Sequence, residues 1–242
     1  MLVWHGTIVL CIQKLEEINV ESSILTLRKM FEENRNEQNA IHMENYMKNH
    51  FKFFGIKSQK RREIEKHFFR ETGILKEPFN QEFVMELWKL DEREFQYAAL
   101  DYIEKSLKKL IKEDLRFIER LIMSKSWWDT VDVLGPKAVG AIASKYPEVI
   151  EETISGWAIS DHIWLRRAAI LFQLKYKENT NEELLYQYIR QNADSKEFFI
   201  QKAIGWALRE YSKTNPDSVK KFMAHQKLAP LSFREGSKYL SV

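Results

Sequence analysis

The chain has 242 residues, 44% of them hydrophobic and 30% charged, with a formal net charge of +3. That is an ordinary globular balance, long enough for one elongated domain or two small ones, and it excludes a strongly cationic, disordered nucleic-acid binder. Eight Gly and five Pro are few for a turn-rich β fold. The single Cys11 rules out a disulfide framework, a four-thiolate cluster and a cysteine-based zinc site.

The six His residues are scattered, with no two spaced four apart on a helix, so neither a metal nor another cofactor is expected. Residues Leu2 to Ile12 are apolar but too short to span a bilayer, and they lack a basic start and a small-residue cleavage site. A cytoplasmic protein without a membrane partner is expected, with this segment either an extra N-terminal turn or strand-like arm or a stretch upstream of the true start of translation.

From Val20 onward, amphipathic helices follow one another with short polar breaks. Ser22 and Ser23 are placed to cap a helix carrying Ile24, Leu27, Met30 and Phe31. Gln81 to Leu90 puts Phe83, Val84, Leu87 and Trp88 on one face, and Phe95, Ala98, Ala99, Tyr102 and Ile103 do the same in the next helix. Pro136, Pro147, Pro216 and Pro230 are expected near helix ends. No run alternates with period two. The class is all-α.

Three segments resemble each other: EFQYAALDY from Glu94, WLRRAAILF from Trp164 and FIQKAIGWA from Phe199. Aligned on Ala98, Ala168 and Ala203, they lie 70 and 35 residues apart, and 35 residues suit two helices with their turns. Such pairs bury their apolar faces by stacking into a solenoid with a concave surface. Steps of 35 from Arg62 give Tyr97, Asp132, Arg167 and Lys202. The row therefore carries three cations and an aromatic around one carboxylate.

A cationic cluster taken alone reads as a solvated face. Lys57, Lys60, Arg61 and Arg62 form one such cluster; Arg166, Arg167, Lys175 and Lys177 form another; Lys202, Arg209 and Lys213 form a third. Repetition in register favours a phosphate backbone as partner. In KSWWDTVD, Trp127 and Trp128 point about 100° apart, whereas Trp128 and Asp132 share a face. Asp132 is either the partner of a structural salt bridge to Arg167 or a charge kept for chemistry. A carboxylate beside a Trp face suits a developing positive charge. Trp206, four residues after Lys202, either packs between helices or faces the same row.

The stretches NYMKNHF from Asn45, GIKSQKRR from Gly55, DEREFQYAALD from Asp91, KSWWDTVD from Lys125, SDHIWLRRAAILFQLKYK from Ser160 and SKEFFIQKAIGWALREYSKTNPD from Ser195 resemble the DNA alkylation repair family of HEAT-like repeat glycosylases, the AlkD type. The resemblance spans the chain from about Val20 and implies a right-handed superhelical solenoid of helix pairs holding duplex DNA on its concave face. It implies hydrolysis of the N-glycosidic bond of cationic alkylated purines such as 3-methyladenine and 7-methylguanine, within base excision repair. Asp132 matches the catalytic carboxylate, Trp128 and Trp206 the lesion-contacting tryptophans, and Arg167 a supporting, DNA-facing arginine. Tyr46, Arg62 and Lys175 match further DNA-facing positions, and Lys202 joins them through the row.

A monomer, nucleoid-associated when bound to DNA, is expected. Residues 1–19 have no counterpart in the family pattern and are set apart from a glycosylase domain at 20–242. A HEAT-type scaffold without chemistry, and a hydrolase of another substrate with Asp132 as base, are the competing functions.

Overall fold

The computed structural model describes residues 20–240. The apolar arm, Cys11 and the whole proposed extension 1–19 lie outside the described residues. Among those described, every regular element is helical; a single isolated bridge joins Lys52 and Glu92. No described helix is long and apolar enough to cross a membrane. The chain divides into two compact units, Met1–Ser106 and Leu107–Val242.

The first unit contains helical residues 20–32 (α1), Glu37–Tyr46 (α2), Ser58–Thr72 (α3), Gln81–Lys89 (α4) and Arg93–Lys105 (α5). Asn36 and Asn80 cap α2 and α4 by accepting from the backbone N–H three residues on. The expected serine cap of α1 is not one. The backbone is already helical at Val20, so Ser22 and Ser23 lie inside the helix.

The core of this unit is aromatic. Phe31, Phe54 and Phe95 pack with ring centroids 5.4–5.9 Å apart, and Phe83 meets Tyr102 edge-on at 5.1 Å. All four apolar residues foreseen on α4, and all five on α5, are buried. Glu94 reaches back to accept from the backbone N–H groups of Phe54, Gly55 and Ile56 at 2.9–3.1 Å. Gly55 has φ 84°, and a Cβ there would sit 2.0 Å from the Asn36 carbonyl oxygen, so only glycine fits.

The second unit runs through α6 (Asp114–Met123), α7 (Trp128–Val133), α8 (Gly140–Lys145), α9 (Ser155–Ala158), α10 (Ile163–Leu171), α11 (Glu182–Asn192), α12 (Phe198–Tyr211), α13 (Pro216–His225) and α14 (Pro230–Gly236). Pro216 and Pro230 open their helices, where a missing N–H leaves nothing unsatisfied. Pro136 departs from expectation: it sits inside one helical run, in a π-helical stretch Leu134–Val139 joining α7 to α8. A wider turn there accommodates a residue that cannot donate to the regular ladder.

The repeat is visible in the helix starts. The second helices of successive pairs, α3, α5, α7, α10 and α12, begin at Ser58, Arg93, Trp128, Ile163 and Phe198, each 35 residues after the one before. Within the second unit, side chains tie each repeat to its neighbour. Lys145 Nζ donates to the Leu110 carbonyl, Tyr176 Oη to that of Gly140 and Asn192 Nδ2 to that of Ala158, spanning 34–36 residues. Gly140 permits a close approach between them, because a Cβ there would lie 2.6 Å from the Phe172 carbonyl oxygen.

Candidate active site

Arg62, Tyr97, Asp132, Arg167 and Lys202 are each the fifth residue of their helix, four positions after the starts given above. Arg62 and Tyr46 belong to the first unit; Trp128, Asp132, Arg167, Lys175, Lys202 and Trp206 belong to the second. Tyr46 closes α2 and is 70% exposed. Arg62 is exposed on α3, at a cleft of about 460 Å³ shared with Lys66, Asp101 and Lys105.

Its neighbour Arg61 points inward instead. Arg61 donates to Glu65 at 2.5 Å and to Asp101 at 3.0 Å, with its guanidinium 5.1 Å from the centroid of the Tyr97 ring. Burial, followed by the neighbouring Asp101 carboxyl, pushes Glu65 up to about 9. At neutral pH Glu65 is therefore held in its protonated form within the network.

In the second unit, Asp132 and Arg167 meet face to face. Arg167 Nε donates to Asp132 Oδ1 at 2.6 Å and Nη2 donates to Oδ2 at 2.8 Å, a two-pronged pair. Arg167 Nη1 donates to the Phe199 carbonyl oxygen at 2.5 Å. The Arg167 side chain is only 5% exposed and the Asp132 side chain 17%. Arg167 therefore presents almost no surface to a phosphate. It supports Asp132, and the expected direct DNA contact finds no basis in its position.

Asp132 keeps a solvent-facing edge. Burial raises its carboxyl above the ordinary 3.8, Arg167 opposes that rise through hydrogen bonds and charge, and the negative charge of Asp129 adds a little to it. Each Asp132 oxygen spends one lone pair on Arg167, leaving another for a water or a cationic centre. Trp128, the first residue of α7, is partly exposed one helical turn before Asp132. Trp127, the N-cap, turns instead into a cluster with Trp164 and Phe199, at centroid separations of 4.9–5.6 Å.

Lys202 is half-buried and bonded to Glu235 at 3.2 Å; the same carboxylate receives Arg209 at 3.0 Å and Lys238 at 2.8 Å. Lys238 foremost, with Lys202 behind it, holds Glu235 down to about 2. Lys175 is exposed and lies 3.9 Å from Glu210. Trp206 is partly buried, one side packed on the core that α11, α12 and α13 build around Ile189, Ile204 and Val219. A cavity of about 260 Å³ among α10, α11 and α12 is lined by Gln173, Glu210 and Tyr211, with Lys177 and Lys213 from two of the cationic clusters, but not by Asp132, Trp128 or Trp206. No described group of three or more His, Cys, Asp or Glu side chains could hold a metal ion.

Sequence reasoning missed the Phe199 carbonyl, Trp164 and Glu235. The first is backbone and carries no sequence signal. Trp164 and Phe199 are aromatic at the repeat spacing of 35, a regularity that could have exposed them. Glu235 lies 33 residues after Lys202, one short repeat on.

The described residues form 35-residue helix pairs that hold a carboxylate with one exposed edge against a buried arginine, and so define an all-α helical-repeat protein. The family model described as DNA alkylation repair enzyme matches residues 27–240, and the chain belongs to that family. The structure is similar to a predicted DNA alkylation repair enzyme from Enterococcus faecalis, with 36% identity, a TM-score of 0.78, and coverage of 86% of this chain and 97% of that one. It shares its fold with AlkD2 from Streptococcus mutans, at 23% identity and a TM-score of 0.56 over 76% of this chain and 99% of that one. The structure of smu.31 from Streptococcus mutans UA159 matches with the same identity and TM-score, over 76% and 98%. No curated protein matches the chain.

Proposed function

We propose that the protein is a DNA glycosylase that hydrolyses the N-glycosidic bond of cationic alkylated purines, such as 3-methyladenine and 7-methylguanine, in duplex DNA. The observation that carries this is Asp132: a carboxylate with one exposed edge, held by the Arg167 fork, one turn after a partly exposed tryptophan.

An unmodified base needs an acid to protonate it as it leaves, besides a carboxylate on the sugar side. An alkylated, positively charged base takes the bonding pair of the C1′–N bond and departs neutral, so no acid is required. Positive charge then moves onto C1′ and the ring oxygen, where Asp132 stabilises it electrostatically. Water adds to C1′, and its proton passes to the Asp132 carboxylate and on to solvent. Trp128 and Trp206 contact the lesion-bearing strand, the Trp face favouring the cationic character of the lesion. Lys175, Lys202 and, in the first unit, Arg62 and Tyr46 engage the backbone. Recognition from the backbone side, by a monomer in the cytoplasm, completes the assignment.

The test is release of free base from duplex DNA carrying 7-methylguanine. The glycosylase liberates base well above the spontaneous rate and leaves abasic sites. A helical-repeat scaffold without chemistry binds the DNA and releases none beyond background.

A further inference from the structure

Arg167 is a long side chain with several rotatable bonds, and a buried guanidinium holds one orientation only when its donors are fixed on more than one side. Two of its donor nitrogens meet Asp132, and the third meets the Phe199 carbonyl. Phe199 is the second residue of α12, and its ring packs 4.9 Å from Trp164 of α10 and 5.1 Å from Trp127 at the cap of α7. Each helix that contributes to the charged pair or its anchor thus also contributes one ring to a single cluster. Trp164 stands three residues before Arg167, and Trp127 directly precedes Trp128.

We propose that Trp164 and Phe199 are positioning residues for Asp132, acting through Arg167: the aromatic cluster fixes the start of α12, its carbonyl fixes the guanidinium, and the guanidinium fixes the carboxylate. This deepens the glycosylase assignment and rests on it for its catalytic consequence, although the positioning itself is a property of the free protein. Loosening the cluster frees Arg167 Nη1, and the fork swings away from Asp132. The carboxylate then loses the interactions that oppose its burial. Charged groups bearing on Asp132 are Asp129 on its own helix and Arg167 from α10; α12 adds only the carbonyl dipole of Phe199.

Titration of the Asp132 side-chain carboxyl carbon by NMR, in the DNA-free protein, tests the positioning directly. Phe199→Leu and Trp164→Leu should raise its midpoint by about one pH unit, a tenfold shift in the protonation equilibrium, and Trp164→Phe should restore most of the wild-type value. Trp157→Leu is the control for general loosening: Trp157 is buried, as Trp164 is, and donates to Glu119 at 2.7 Å, apart from this cluster. An Asp132 titration unmoved in Phe199→Leu and Trp164→Leu, or moved as much by Trp157→Leu, overturns the proposal. Single-turnover base release at saturating DNA should fall in the first two variants with the DNA dissociation constant little changed. If the wild-type protein releases no base above the spontaneous rate while the NMR shift appears, the glycosylase assignment fails and the positioning stands.

Discussion

Asp132 and Arg167, 35 residues apart and each fifth in its helix, form a two-pronged pair with N–O distances of 2.6 and 2.8 Å. The pair joins α7 to α10 and leaves the carboxylate, not the guanidinium, with access to solvent.

Replacing Asp132 with Asn keeps the shape and removes the charge. Single-turnover base release should fall on the order of 10²-fold, about 3 kcal/mol, the lower end for losing one transition-state charge partner. The lesion activates itself, which sets the lower end. DNA affinity should hold or rise slightly as a negative charge leaves the row. A saturated variant that excises at the wild-type rate removes Asp132 from the chemistry.

The pH dependence follows from the raised Asp132 carboxyl. The ionised form is the active one, so base release should fall as the pH drops through the folded value, which lies above 3.8. Stability moves the other way for this group. The folded state binds the proton more tightly, so the stabilisation is complete below the unfolded pKa and is lost as pH rises through the folded one. A rate profile without an acid limb above about pH 4 would contradict a catalytic role for this carboxylate.

Glu235 sets how much charge Lys202 offers to DNA. Glu235→Gln should tighten DNA binding and steepen the log–log salt dependence, each added phosphate contact contributing a slope of about −0.9. Lys202→Ala should flatten it, and Arg167→Ala should leave it nearly unchanged because Arg167 is buried. The same Glu235→Gln change should remove a stabilisation present above pH 4.5 and lost as the pH falls toward about 2. Equal salt slopes in wild type, Glu235→Gln and Lys202→Ala would place the DNA away from α12.

The two tryptophans should separate in a comparison of stability with rate. Trp206→Ala should lower stability by roughly 2 kcal/mol, about half the penalty for a fully buried Trp, since one side packs on the C-terminal core. Trp128→Ala should change stability by about 1 kcal/mol or less, as for a partly exposed residue at a helix start. Both should reduce base release per folded molecule. Unchanged release in both, measured after correcting for the folded fraction by chemical denaturation, would return them to packing alone.

Close approach of the helices carrying Asp132 and Arg167 depends on Gly140. Gly140→Ala should destabilise by roughly 1–3 kcal/mol, because the new Cβ has to push against the Phe172 backbone. Gly156→Ala should stabilise by about 0.5–1 kcal/mol, since α9 is helical there and nothing lies within 4 Å of the added methyl. Denaturant midpoints of the two variants should therefore move in opposite directions.

The 35-residue repeat, the helical class and the rank of Arg62, Tyr97, Asp132, Arg167 and Lys202 were all legible in the sequence. Periodicity alone assigns a residue to a face and a register, so equivalent residues necessarily share a place in equivalent helices. What each one does there was not legible. Arg61 turns inward while Arg62 stays out, Arg167 is buried while Lys202 reaches solvent, and Pro136 continues a helix that local propensity would have ended. The fates of Arg61, Arg167 and Lys202 depend on partners 32 to 40 residues away: the Asp101 and Asp132 carboxylates, the Phe199 carbonyl and Glu235. A pattern of spacing records which side chains face a neighbouring helix, but only the packed helices decide which charges find a counter-charge and are buried with it, and which remain for a ligand.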